Sequence, residues 1–329
     1  DVYPRPRWTI PAAYLECFDI ALRAAHCNDG ILKYMCDYSS SAVTYEPGYL
    51  AQHNAHRADY AEIAAAFDGK SACGVRIYEQ QHKLRDCDLP KEYIGEDYIQ
   101  DLLFAKAERF AMGLSLPVTY TGGGYGGIVC GESAKTLPDA ALELPLCIDL
   151  TAAEILTKRG IDVGLRAVGE RIGSGEESFP EYAEFTPVNY GVHAHRLTLA
   201  EGAVPKSYYG DAPASYTYQN GAGQRFFVFA CRMDFTNEAF YRNYCRQKQV
   251  TEFFDLPIHC AGNPDLYLYC AENETERAVL LLNLSPDKIL APTLPSMKVK
   301  TCLHTAVVSD TADGTVLSVL YPYEYAVVG

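Results

Sequence analysis

The stretch from Pro117 to Gly164 constrains the fold more than any other. It holds an apolar run, Gly127 to Cys130, a polar turn, and a second apolar run, Leu142 to Ile148. A helix is predicted to follow directly. Thr151 is a good N-cap, and Glu154 stands three residues on, the spacing of a capping box. Ala153, Leu156 and Thr157 recur at helical spacing. Arg159 and Gly160 then supply a cation and a C′ glycine to end the helix. Strand, sharp turn, helix is the layout of a doubly wound α/β domain, in which sites gather at the carboxyl ends of strands. A nucleophile would stand at the turn, between Cys147 and Thr151. No glycines flank a Cys or Ser there, as a nucleophile elbow requires. The position is therefore expected to be non-catalytic.

At 329 residues, and about 100–200 residues per domain, the chain has room for two or three domains. Its net charge of −14 argues against nucleic acid and anionic membrane as partners. No apolar stretch reaches the roughly 18 residues of a membrane span. The first residues show neither Met nor a signal-peptide pattern. The 12 cysteines include no CxxC pair and sit mostly within apolar runs. They are expected to be buried, reduced thiols of a cytoplasmic protein. No cofactor is expected.

Residues 1–88 read as helix (Pro11 to Ala25), short strand (Ile31 to Cys36), loop, helix (Tyr49 to Phe67) and strand (Val75 to Tyr78). That is one and a half β/α units, where a closed barrel needs eight. Residues 89–256 read as an α/β domain. It has a helix over 98–114, the central stretch above, a short strand over 161–165 and a loop over 169–177. Extended aromatic segments, a buried strand over 225–231 and a helix over 237–254 complete it. Residues 257–329 carry short apolar strands separated by turn signals such as Ser285-Pro286-Asp287, as in a small antiparallel β-module.

This order of parts resembles the back end of barrel glycoside hydrolases of the bacterial β-galactosidase type. The resemblance rests on Gly30–Tyr38 as a final barrel strand and Cys147–Leu156 as a degenerate elbow and helix. It rests further on Leu280–Leu284 with Leu320–Val327 as paired strands. It implies an α/β fold: a flavodoxin-like, amidotransferase-type doubly wound domain, preceded by a (β/α) barrel remnant and followed by a small C-terminal antiparallel β-sandwich. It also implies a non-catalytic amidotransferase-like domain used for homo-oligomerisation, a carbohydrate substrate for the parent enzyme, and a catalytic carboxylate pair lying before Asp1. The alternative is a stand-alone, non-catalytic amidotransferase-like binding or assembly module. A thiol amidase using Cys147 is a further enzyme alternative.

If Ile31 to Cys36 is a barrel strand, Asp37 and Tyr38 lie at its carboxyl end, where barrel active sites form. Trp8 and Tyr38 could stack on sugar faces, while Arg7, Asp37 and Glu46 bind hydroxyls. These five are the expected substrate-binding residues. Alternatively, Asp37 caps a loop and Trp8 fills core. Two motifs have bland readings beside sharper ones. His193 and His195 share one face of a strand, but no spacing supplies the third ligand a metal would need, for which Glu184 and Asp211 are the candidates; the pair is read as ordinary surface or loop histidines. Gly122–Gly127 lacks the Lys-Ser/Thr and the helix of a phosphate loop, so a turn is expected. Tyr208, Tyr209, Tyr216 and Tyr218 are expected to supply core and interface area.

Overall fold

The computed structural model describes residues 12–27, 36–37, 44–45, 47–79, 106–121, 124–173, 176–182, 188–189, 194–232, 243–260, 266–290, 292–294, 297–312 and 314–329. The chain is mixed α/β, with several sheets and few helices. It divides into two compact units. One is Cys73–Pro264; the other combines Asp1–Ala72 with Asp265–Gly329.

Five parallel strands form half of the main sheet in the first unit: β1 (Val75–Ile77), β2 (Val118–Thr119), β3 (Gly126–Val129), β4 (Leu146–Ile148) and β5 (Arg225–Phe229). Their order across the sheet is β2-β1-β3-β4-β5. Register is set by pairs such as Ile77 with Ile128, Val129 with Ile148, and Ile148 with Val228. β3 and β4 are buried throughout, and β5 from Phe226 onward, which is why they read as continuous apolar runs rather than alternating ones. Beyond β5 the sheet continues antiparallel through Ala212–Gln219, Val204–Tyr209, Glu176–Ser178 and Val188–Asn189.

The glycines that open β3 are explained by packing. A Cβ on Gly126 would lie 2.2 Å from the Phe254 ring and 2.9 Å from the Pro145 carbonyl. One on Gly127 would lie 2.5 Å from Tyr78. Two aromatic rings approach the strand where no side chain intervenes, so Gly126 and Gly127 belong to the strand rather than to a turn.

Several boundaries differ from expectation. The expected loop over 169–177 is occupied by the strand Leu165–Gly173, paired antiparallel with Ala194–Leu199 through several register shifts, and by Glu176–Ser178. Most of the 165–173 ribbon is exposed, so its ladder of backbone hydrogen bonds leaves no apolar alternation to read. The expected strand over 161–165 only begins at Leu165. The expected helix over 49–67 is two, Pro47–Ala55 and Arg57–Phe67, broken at His56. The extended segments after Ala203 form a hairpin, Val204–Tyr209 with Ala212–Gln219.

In the second unit the strand order is Cys302–Leu303, Tyr325–Val328, Arg277–Asn283, Leu266–Glu272, Ser71–Cys73. Ile20 of helix Ala12–Ala24 and Ile63 and Phe67 of helix Arg57–Phe67 share a core with Leu280, Leu282 and Val327 of that sheet. A separate three-stranded sheet joins Thr293–Leu294, Gly314–Leu317 and Val307–Thr311.

A deeply buried polar interaction lies in the first unit. Arg246 opens the helix Tyr244–Phe254 and forms an ion pair with Glu177, both only 1% exposed. Ser207 Oγ donates to the other Glu177 oxygen at 2.6 Å and lies 2.6 Å from Ser215 Oγ. The guanidinium also lies over the rings of Phe179 and Phe229. Removing one member strands a charge away from water. Glu177→Ala is therefore expected to cost about 3–5 kcal/mol in urea unfolding. Glu177→Leu combined with Arg246→Met should recover most of that loss; equal losses in the single and double variants would contradict the stranded-charge account.

Candidate functional site

The carboxyl edge of the parallel strands is where a doubly wound sheet presents chemistry. β1 runs out into Tyr78 and Glu79, β3 into Cys130 and Gly131, β4 into Asp149, and β5 into Cys231 and Arg232. Backbone hydrogen bonds close this edge: Tyr78 N donates to Ile128 O at 3.1 Å, and Leu150 N to Cys231 O at 3.0 Å.

Asp149 is the N-cap of the helix Leu150–Lys158. Its Oδ1 accepts from Ala152 N at 2.8 Å and from Gly131 N at 2.9 Å. The expected cap at Thr151, with Glu154 closing the box, does not form. An acceptor two residues earlier already takes the helix's free amide, and Thr151 lies within the first turn. Thr151 and Glu154 instead meet Arg232, whose nitrogens lie 2.5 Å from Thr151 Oγ1 and 3.1 Å from Glu154. The helix ends as expected, with Arg159 at the C-cap and Gly160 in the left-handed region. Arg159 reaches back to the carbonyls of Ala134 and Leu137 at 2.7 and 2.9 Å, pinning the turns that join β3 to β4.

Asp149 is buried, and its Oδ2 has no hydrogen-bond partner among the described residues. Burial raises its pKa; Lys106, the two amide donors and Arg232 pull the other way. The thiols beside it are no better prepared for reaction. Cys147 lies inside β4, fully buried, and burial pushes its pKa well above the usual thiol range. Cys130 is likewise pushed well up, by burial and then by the charge of Asp149. A buried thiol with its pKa pushed up is a poor nucleophile, which counts against the thiol amidase reading of Cys147. Cys130 stands nearer the turn and escaped the sequence argument; only its place at the end of an apolar run could have flagged it.

Of the five expected sugar contacts, Arg7, Trp8, Tyr38 and Glu46 lie outside the described residues. Asp37 is described by its backbone: Cys36–Asp37 pairs antiparallel with Thr44–Tyr45, Asp37 opposite Thr44. Most of the expected strand Ile31 to Cys36 also lies outside the described residues. His193 and Glu184 lie outside them too. His195 Nδ1 sits 3.2 Å from the Gly169 carbonyl, and Asp211 pairs with Arg196 through both oxygens at 3.1 Å. Both therefore have ordinary structural partners. Tyr209 and Tyr216 are core residues; the Tyr216 hydroxyl donates to Val163 O at 3.1 Å.

No family model matches the chain, and no curated protein does. Solved structures do. The β-galactosidase from Rahnella sp. R3 aligns over 96% of this chain and 57% of its own, at 12% identity and a TM-score of 0.53. The α-L-fucosidase isoenzyme 2 from Paenibacillus thiaminolyticus aligns over 97% and 57%, at 10% identity and a TM-score of 0.55. A GH42 β-galactosidase from G. stearothermophilus aligns over 83% and 43%, at 12% identity and a TM-score of 0.47. The chain thus spans less than two thirds of each. At such identities the first two likenesses speak to the fold alone. Among the described residues, no helix is long and apolar enough to cross a membrane.

Asp149 yields a pH-dependent expectation. Its folded pKa lies above its ordinary value of 3.8, so the folded state holds the proton more tightly than the unfolded chain. The associated stability is present below 3.8 and is lost as pH rises through the folded pKa. Asp149→Asn keeps an acceptor for both amides and an N-cap of equal quality, without the buried charge. It should match or exceed the parent in urea midpoint at pH 7 and lose that advantage by pH 4. A variant weaker at pH 7 than at pH 4, relative to parent, would show that Lys106 and Arg232 outweigh burial.

Proposed function

We propose that this chain is the C-terminal portion of a glycoside hydrolase acting on carbohydrate. In chain order, residues 1–88 would be the end of a (β/α) barrel, 89–256 a flavodoxin-like, amidotransferase-type domain, and 257–329 a small antiparallel β-domain. The amidotransferase-like part serves assembly into a homo-oligomer rather than bond cleavage. Arg7, Trp8, Asp37, Tyr38 and Glu46 would border the sugar cleft of the parent enzyme.

The observation that carries the reading is the likeness in fold, over 96–97% of the chain, to a β-galactosidase and a fucosidase of which it spans only 57%. The order β2-β1-β3-β4-β5 is the flavodoxin-like order of doubly wound sheets and supports the middle assignment, with β1 (Val75–Ile77) joining that sheet from before residue 89 rather than the barrel end. The thiols at its edge, buried and with their pKa pushed well above the usual thiol range, support the non-catalytic role.

A second reading, a stand-alone amidotransferase-like binding or assembly module, is favoured by one feature. A cavity of about 370 Å³ lies wholly within the Cys73–Pro264 unit, with Lys206, Arg225, Gln249 and Glu252 among its lining.

Intact mass and nitrophenyl-glycoside hydrolysis of the protein isolated from its source separate the two. The first reading expects a mass well above 36.3 kDa and turnover of a galactoside or fucoside. It also expects the 329-residue chain alone to sediment as an oligomer without turnover. A source protein of 36.3 kDa that hydrolyses no glycoside leaves the second reading.

A further inference from the structure

We propose that Asp59, Glu62 and His304 form a binding site for a divalent transition-metal ion, with Tyr325 as its supporting hydroxyl. All four residues belong to the unit that combines Asp1–Ala72 with Asp265–Gly329. The proposal stands apart from the glycoside hydrolase reading.

Asp59 and Glu62 are three residues apart on the helix Arg57–Phe67, and so project from one face. His304 follows the short strand Cys302–Leu303. Its Nε2 lies 4.0 Å from Asp59 Oδ1 and 3.9 Å from Glu62 Oε2, and the three donor atoms lie within 4.8 Å of one another. Tetrahedral zinc with bonds of about 2.0–2.2 Å places its donors roughly 3.3 Å apart. Closing the triad onto an ion thus needs each atom to move by a fraction of an ångström. The side chains are 28–29% exposed for His304 and Asp59 and 58% for Glu62, which leaves them room to do so.

The imidazole is held in place. Its ring packs on the Tyr325 ring at 4.5 Å between centroids, and the His304 backbone sits at φ +62. An independent observation comes from the Tyr325 hydroxyl. The residue is 7% exposed, and its hydroxyl sits against the Asp59 carboxylate, to which it hydrogen-bonds. A buried donor beside a carboxylate is the arrangement that orients a metal-ligating oxygen.

The donor set selects the class of ion. An imidazole with two carboxylates suits zinc and its first-row neighbours, whereas calcium and magnesium take oxygen ligands alone. Three protein ligands also leave a fourth position open, which in zinc sites is the arrangement that admits water or another small ligand. Glu62 lines a cavity of about 700 Å³ in the same unit, bordered by Lys70, Met297 and Leu303. A small anion in that cavity would have a route to the open position.

Titration of the full 329-residue chain with ZnCl₂ by calorimetry, under reducing conditions, tests the site. One equivalent of zinc should bind. His304→Ala and Asp59→Asn should each weaken that event by at least about tenfold. Tyr325→Phe should weaken it by about 10–100-fold, the range of second-sphere partners, while leaving the circular dichroism spectrum unchanged. Cys302→Ser, which removes a neighbouring thiol, should leave binding intact. Asp59→Asn keeps the shape of the side chain, so a folding defect in His304→Ala does not blur the result. The site is refuted if parent and Asp59→Asn bind zinc alike, if the parent binds none, or if Cys302→Ser abolishes binding.

Discussion

The Arg246–Glu177 pair is the constraint on which the Cys73–Pro264 unit turns. Desolvating a carboxylate and a guanidinium is expensive, and their attraction offsets it only when the remaining donors and acceptors are also met. Here they are: Ser207 takes the second carboxylate oxygen, and Ser215 extends the chain. Arg246 sits near the start of the helix that follows β5, Glu177 on a strand beyond the hairpin, and the two serines on the hairpin itself. One network therefore fixes the antiparallel extension to the parallel half. The rings of Phe179 and Phe229 flank the guanidinium and exclude water from it. An apolar substitute could match its stability but not its directionality. An arginine with a fixed fork of donors accepts one register of the strand that carries Glu177.

Around that network the unit is packed closely enough that absent atoms matter. β3 can lie beneath Phe254 and Tyr78 because Gly126 and Gly127 bring no Cβ. The same logic explains why a glycine-rich stretch after a strand is a poor guide to ligand binding. Close approach of a backbone to a ring and close approach of a backbone to a phosphate make the same demand on sequence. Only the surroundings separate them, and here the surroundings are apolar.

What was legible in the sequence follows from this. Strands buried on both faces, such as β4 and β5, announced themselves as apolar runs, and so did Arg277–Asn283 and Tyr325–Val328. The ribbon Leu165–Gly173 did not, because its pairing is carried by backbone groups that every residue possesses. The helix after β4 was placed to within two residues at its start and one at its end, and its cap was misassigned. Thr151 and Asp149 are both competent caps, and the choice between them depended on Gly131, eighteen residues away, whose amide shares the Asp149 oxygen. The same non-locality hides Asp59, Glu62 and His304. Two are separated from the third by most of the chain, and no spacing rule joins them. Tyr325 gave no signal beyond belonging to an apolar strand. The sugar contacts inferred at Asp37 and its neighbours rested on strand position alone, the weakest of these signals, since position carries no information about partners.

The two ends of chemistry in this chain differ in how they treat charge. At the edge of the parallel sheet, Asp149, Cys130 and Cys147 are withdrawn from solvent, and burial biases all three toward their neutral, protonated forms. Such a cluster can hold a helix and two loops together, because a neutral or singly charged cap suffices for that. It is badly placed to attack a carbonyl, which needs a thiolate and a base within reach. The triad on the helix Arg57–Phe67 and the turn at His304 does the reverse. Its carboxylates stay partly in solvent, and only the hydroxyl behind them is buried. Ligand atoms that are accessible, set against a donor that is buried, would give an ion somewhere to bind without first requiring the fold to open. A topologically expected active edge can thus be spent on structure, while a surface with no topological claim retains reactive groups. Position in a fold therefore says where chemistry could be, and the protonation state and accessibility of particular atoms decide whether it is there.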